Sequence, residues 1–393
     1  MQIAAFFIWR FRVKKCYKSI NLGFMIQLSL PFQKSMMRYT YFLFFVLISC
    51  SGAFARNKSA ALKLFKADDP HIQYYGRIDN SNPEIPRIWA PGVYIIAKFK
   101  GPKCQILIND EAGGANHNYL EIVIDGQNPY RIKLTQKENT IDVPNGLSDS
   151  EHTILICKDT ESNIGYIDFV GVKCEKLLPL PVKPKRKIEY FGDSITSGTG
   201  MDLSVIPCDK GQWYDQHNAY MSYGALTSRS LDAQWQLTAL AGVGLVHSCC
   251  NMNVVMPQIY DKVFLRNDTI SWNFDKYTPD VVTICLGQND GPKQDSALFC
   301  GAYVSLVKAI RQHYPKADII CLSSPMGDQT LTTVLKKYLT AITANLNAAG
   351  DTKVYKYFFS RQYHNGCGGH PDLDEHKLIA GELTAYIKQL KGW

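Results

Sequence analysis

Apolar positions recur at every second residue from about Tyr74 to Cys174. The runs VYIIAKFKG, KCQILIND, NYLEIVIDG, YRIKLTQ, EHTILICKD and GYIDFVGVKCE are rich in β-branched and aromatic residues. Between them stand turn formers such as Asp125-Gly126 and Pro144-Asn145-Gly146. Six such runs within about 100 residues, with no helical period among them, predict an all-β sandwich of jelly-roll type. The segment LPLPVKPKRK at 178–187 then interposes three prolines and four basic residues, which read as a stiff, solvated linker.

Beyond that linker the period changes. Buried-looking strands at 187–191, 235–240, 280–286, 317–323 and 353–358 alternate with helical stretches near 219–232, 296–313, 330–348 and 374–391. Strands that are apolar on both faces and alternate with helices predict a parallel sheet covered on two sides, an α/β domain of three layers. The chain thus divides into a leader at 1–55, a β-sandwich at 56–177, the linker at 178–187 and an α/β domain at 188–393.

The formal charge of +8 changes little in this picture. Residues 1–55 hold seven Lys and Arg and no Asp or Glu, leaving 36 basic against 35 acidic residues beyond them, a net charge of +1. Nucleic-acid binding needs a basic stripe on the folded part, and none is visible. The apolar run YFLFFVLIS at 41–49 is short of the roughly 20 residues of a spanning helix and fits a signal peptide. Two processing sites follow it. Leu47-Ile48-Ser49-Cys50 resembles a bacterial lipoprotein box with Cys50 as the lipidated residue, and Ala53-Phe54-Ala55 fits ordinary signal peptidase. Either implies an exported protein, periplasmic, anchored to the outer membrane through Cys50, or secreted. Met36 and Met37 lie just before the run, so residues 1–35 read as an upstream extension from a misplaced start.

Ten of the twelve cysteines lie beyond Cys16 and Cys50, and their spacing outlines no disulfide framework. Cys285 and Cys321 fall inside strand-like runs and read as core thiols. The adjacent Cys249 and Cys250 have no reading. No CxxC pair or His/Cys cluster has zinc spacing, so no metal or cofactor is expected.

Chemistry concentrates at the strand ends. The first α/β strand runs into Gly192-Asp193-Ser194, the third into Gly287-Gln288-Asn289-Asp290, and His370-Pro371 precedes the last helix. Singly, these are an ordinary turn, a helix cap and a helix boundary. In an open α/β sheet, however, the carboxyl ends of the strands meet in one crevice. Together they supply a nucleophile, a base and oxyanion donors, the parts list of acyl transfer. The G-x-S-x-G elbow of α/β-hydrolases is missing around Ser194. Trp213, in the loop-like CDKGQWYDQHN, is a candidate substrate contact; Tyr220 and Tyr223 look like core, and His376 reads as helix surface.

The blocks FGDSIT, GVG, LGQND and HP stand in the order of the four blocks of the SGNH (GDSL-like) hydrolase superfamily. YYGRIDNSNPEIPRIWAPG, NAYMSYGALTSRSL and LTALAGVGLV further resemble carbohydrate esterase family 2, whose members join a jelly-roll domain to an SGNH domain. The resemblance spans about residues 70–393. It implies a flavodoxin-like sheet, Ser194 as nucleophile and His370 as general base. The oxyanion donors become the Ser194 N–H, the Asn289 amide and the N–H of Gly242, with Gly244 two residues on as the other candidate. It also implies a substrate, acetylated plant polysaccharide of xylan or glucomannan type, and a monomer that needs no cofactor.

The sequence departs from the superfamily where an acid is usual, three residues before the histidine. Cys367 stands there, followed by Gly368 and Gly369. Some members resemble this arrangement and are thought to use a Ser-His dyad whose imidazole is oriented by a backbone carbonyl; Asp372 or Asp374 is the alternative partner. The missing acid also motivates another reading, a glycan-binding lipoprotein with a weakened hydrolase domain, and the broader superfamily resemblance leaves a third, a lipid acyl esterase.

Overall fold

The five expected strands of the α/β half form one parallel sheet. In the computed structural model, Ala233–Ala239, Arg186–Gly192, Val281–Cys285, Asp318–Leu322 and Val354–Tyr357 lie side by side in that order. Counted along the chain this is 2-1-3-4-5, the flavodoxin-like order, with its switch point beside the first strand. The structure describes residues 61–393 apart from 113–115, 145, 181 and 267–269. The expected leader and its processing sites therefore lie outside the described residues.

Burial on both faces explains why the inner strands Val281–Cys285 and Asp318–Leu322 carry no polar alternation. Val282 and Ile284 join one apolar cluster with helices Ser296–His313 and Gln329–Ala348. Val281 and Cys285, the residues before and after, join the opposite cluster with Tyr223–Ser230 and Leu373–Lys391. The long helices start where the sequence offers a cap: Asp295, Asp328 and Asp372 each accept an N–H from the first turn, satisfying donors that a helix start leaves open.

The N-terminal strands, from Lys63–Lys66 to Gly165–Leu178, pair antiparallel in a nine-stranded sheet among the described residues. Its long member, Tyr94–Ala112, pairs with Glu151–Lys158 in its first half and mainly with Gly165–Leu178 in its second. The register shift between Lys100 and Cys104 bends the strand at the changeover, as a bulge does. Inward residues such as Phe99, Ile106, Ile108, Leu120, Ile122 and Phe169 fill the space enclosed.

Residues 60–393 make one compact unit, because the two halves share a polar as well as an apolar interface. Fully buried Glu189 accepts from Arg77 at 2.8 Å, Gln236 at 2.7 Å, Thr238 at 2.7 Å and the Tyr314 hydroxyl at 2.6 Å. Trp235 donates to the Gly92 carbonyl and stacks on Tyr94 at 3.8 Å. A buried charge pair contributes stability only when its remaining hydrogen bonds are made; four donors on Glu189 meet that condition, while Arg77 gives Nη1 to the Tyr260 and Lys262 carbonyls and keeps its Nε without a hydrogen-bond partner among the described residues. Between the halves, the expected linker is short: strand pairing continues to Leu178 and resumes at Arg186.

Candidate active site

The first strand ends in a turn that only glycine fits. A Cβ at Gly192 would run into the Thr196 side chain. Asp193 then caps the single helical turn Ser194–Ser197 by accepting from the Ile195 N–H at 3.0 Å, and Gly198 closes it in the left-handed region. Ser194 stands at the head of this turn, almost buried. Its hydroxyl is directed toward the segment that precedes the last helix.

That direction holds His370. Its Nε2 lies 2.9 Å from Ser194 Oγ, and its Nδ1 lies 3.0 Å from the carbonyl oxygen of Cys367. A carbonyl can only accept, so Nδ1 carries the proton and Nε2 presents a lone pair to the hydroxyl. Burial holds the imidazole below its ordinary pKa, while the Cys367 carbonyl opposes that shift. Neither aspartate of the last helix approaches the imidazole with its carboxylate. Asp372 caps the helix on the Glu375 N–H, and Asp374 is exposed beside Lys377.

The other two blocks complete the ring. Gly242 has φ +82°, and a Cβ there would press to 2.9 Å on both Cys249 Sγ and Met252 Sδ. Gly244, its competitor by sequence, spends its N–H on Ser248 Oγ at 2.9 Å and is absent from the cavity wall, whereas Gly242 lines it. Asn289 donates to the Val243 carbonyl at 2.9 Å and lies 3.4 Å from Asp193 Oδ2. Asp290 accepts the N–H groups of Leu245, Val246 and His247, pinning the glycine loop to the third strand. Asp193 sits between these blocks, its carboxyl pushed up to about 7, first by burial and also by Asp290.

Ser194, Gly242, Asn289, His370 and Trp213 all line one cavity of about 430 Å³. Trp213 is 53% exposed at its mouth and also borders a second hollow of about 400 Å³, walled by Asp209–Gln212 and the Cys367–His370 turn. Tyr220 and Tyr223 are buried core, as their spacing suggested. His376 is not surface: it is fully buried, accepts the Tyr223 N–H at 3.0 Å, and burial pushes it down to about 3. It lies on the helix stripe with Ile379, Ala380 and Leu383, and its flanking charged residues conceal that phase.

Three features of the site had no usable signal in the sequence. Asn163, from the antiparallel half, lines the cavity beside Arg266. Glu161 from the same half accepts the N–H of Ala241, one residue before Gly242, at 2.7 Å, and burial pushes its carboxyl up to about 7. Cysteines supply the third. Cys208 is bonded to Cys367, and Cys249 to Cys250, so the expectation of no framework is corrected at two places where the partners are either 159 residues apart or adjacent. Cys285 and Cys321 are buried free thiols as expected.

Two family models cover most of the described chain. The model for the carbohydrate esterase 2 N-terminal region matches residues 74–181, and that for the GDSL-like lipase/acylhydrolase family matches residues 190–354. The solved family two carbohydrate esterase from Clostridium thermocellum, in complex with cellohexaose, is 32% identical with a TM-score of 0.75, over 82% of this chain and 99% of that one. The chain belongs to carbohydrate esterase family 2. The cellulase/esterase CelE of Acetivibrio thermocellus is 33% identical to this family 2 esterase over 342 residues, 83% of this chain but only 40% of CelE. An acetylxylan esterase/glucomannan deacetylase of Cellvibrio japonicus is 28% identical over 83% of this chain and 91% of its own length.

Proposed function

We propose that this family 2 esterase removes acetyl groups from plant polysaccharide of xylan or glucomannan type by a Ser-His acyl-enzyme mechanism. The observation that carries the reading is the chain of contacts from the Cys367 carbonyl through the His370 imidazole to Ser194 Oγ, at 3.0 Å and 2.9 Å. Ser194 attacks the acetyl carbonyl as His370 takes its proton. The tetrahedral oxyanion is received by the Ser194 and Gly242 N–H groups and the Asn289 amide. His370 returns the proton to the departing sugar hydroxyl, and water repeats the cycle to release acetate. No step needs a metal or an organic cofactor.

We further infer an exported monomer carried out by the 1–55 leader, through lipidation at Cys50 or simple cleavage, and read the antiparallel half as a jelly roll. Trp213 is assigned to sugar contact. A carbonyl in place of the missing acid weighs against the binding-only alternative, since the imidazole keeps an orienting partner. Acetate release from acetylated xylan and glucomannan, measured beside Ser194→Ala, tests the activity. Hydrolysis by the wild type of long-chain acyl esters in preference to acetyl esters would point to a lipid acyl esterase instead.

The base must be neutral to act, and burial lowers the pKa of His370. As pH falls through that value the imidazole takes a proton and kcat/KM drops. A pH profile is therefore expected to show an acidic limb below the ordinary imidazole pKa of about 6.5. Asp193 and Glu161, each pushed up to about 7, are the alternatives, and a limb near 7 would assign the profile to one of them.

Glu161→Ala tests whether the antiparallel half serves the chemistry. Loss of the acceptor for the Ala241 N–H frees the loop that carries Gly242, so kcat is expected to fall about tenfold with little change in KM. Glu161→Gln, whose amide oxygen can still accept that N–H, is expected to recover most of the rate. Equal rates in wild type and Glu161→Ala would contradict the role.

A further inference from the structure

We propose that the Cys208–Cys367 disulfide takes over the task of the missing acid, by holding the Cys367 carbonyl against Nδ1 of His370; Cys208 is then a positioning residue for the reaction. The proposal rests on the Ser194–His370 reading of the site. An acid side chain would be kept in line by the packing around it, whereas a carbonyl is only as still as the two peptides that bear it.

Here those peptides belong to Gly366-Cys367-Gly368-Gly369, with Gly368 at φ +61° and Gly369 at φ +74°. Glycine on both sides gives this turn more backbone freedom than other residues would allow. The described hydrogen bonds on it are Cys367 N–H to the Gly200 carbonyl at 2.8 Å, Gly366 N–H to the His370 carbonyl at 2.6 Å, and His370 N–H to the Cys367 carbonyl at 3.2 Å. The last two close the turn upon itself, and just before it the Asn365 N–H is held by Glu375 Oε2 at 2.8 Å. Among the described residues, the bond to Gly200 and the disulfide attach it to the more distant parts of the molecule at the cysteine itself.

The far end of the disulfide is anchored. Cys208 lies in the loop between Asp202 and Trp213, and buried Gln216 donates from beneath to the carbonyls of Pro207 and Lys210, both at 3.1 Å. Asp215, also buried, accepts the Gln212 N–H at 2.7 Å. The covalent tie therefore runs from the glycine turn to a loop fastened to the floor. Close approach on the near side is built in as well, because a Cβ at Gly200 would lie 2.8 Å from the Cys367 carbonyl oxygen.

Cys208→Ser and Cys208→Ala break this bond and leave Cys249–Cys250 in place. In the full-length protein, kcat on 4-nitrophenyl acetate is expected to fall about 10- to 100-fold while KM stays within about twofold. The downfield proton NMR signal of a hydrogen-bonded His370 Nδ1–H, present in the oxidised wild type and missing from His370→Ala, is expected to vanish in both variants. Mild reduction of the folded wild type, with thiol titration to verify that Cys208 and Cys367 are free and that Cys249 and Cys250 are still bonded, gives the same comparison should the variants fail to fold. An unchanged kcat, a loss confined to KM, or a retained downfield signal would overturn the proposal. Absence of turnover in the oxidised wild type would count against the esterase reading instead, and the NMR signal would still decide the role of the disulfide.

Discussion

Ser194→Ala is expected to lower kcat for acetate release by about 10⁶-fold, and adding His370→Ala to it is expected to lower the rate no further. The two side chains act as one unit: without the hydroxyl, the imidazole has no proton to take, and without the imidazole the hydroxyl is a weak nucleophile. The double variant separates this from two independent contributions, which would multiply. The fold should survive, because the turn is capped by Asp193 and closed by Gly198, and Ser194 Oγ contacts His370 only among the hydrogen bonds described. Steady-state acetate release together with a thermal melt checks both halves of the expectation. A Ser194→Ala protein that still deacetylates at more than about a hundredth of the wild-type rate would remove Ser194 from the mechanism.

Asn289→Ala carries the next largest expected effect, a fall in kcat of about 10²- to 10³-fold with KM nearly unchanged. The Asn289 amide donates to the Val243 carbonyl at 2.9 Å and, more weakly, to Asp193 Oδ2 at 3.4 Å. The shorter bond holds the amide plane while the longer one is exchanged for the developing oxyanion, so loss of the amide is felt in the transition state more than in binding. The substitution also leaves the Val243 carbonyl without that partner, a cost of about 1–3 kcal/mol in stability that a melt would detect separately. A loss appearing in KM alone would make Asn289 a ground-state contact and leave the oxyanion to the two backbone N–H groups.

Much of this architecture follows from local pattern. The parallel strands expected at 187–191, 280–286 and 317–323 appear as Arg186–Gly192, Val281–Cys285 and Asp318–Leu322, and the helix expected at 296–313 appears as Ser296–His313. Such elements are legible because a strand buried on both faces and a capped amphipathic helix each write their period into consecutive residues. The site blocks were legible for a related reason. Gly192-Asp193-Ser194 and Gln288-Asn289-Asp290 are short, lie at strand ends, and meet wherever the sheet order puts those ends side by side.

The sequence by itself therefore determined the elements, the two-part organisation and the residues that gather at the carboxyl edge of the parallel sheet. Only the tertiary structure decided what supports them. It engaged the N–H of Gly244 with Ser248 and left Gly242 facing the cavity, turned His376 inward, brought Glu161 across from the antiparallel half to the glycine loop, and joined Cys367 to Cys208. Each of these is a contact between segments far apart along the chain or a choice between neighbours of one chemical type. Local periodicity and composition are the same whichever partner is met, so the outcome is settled by close packing of the whole core.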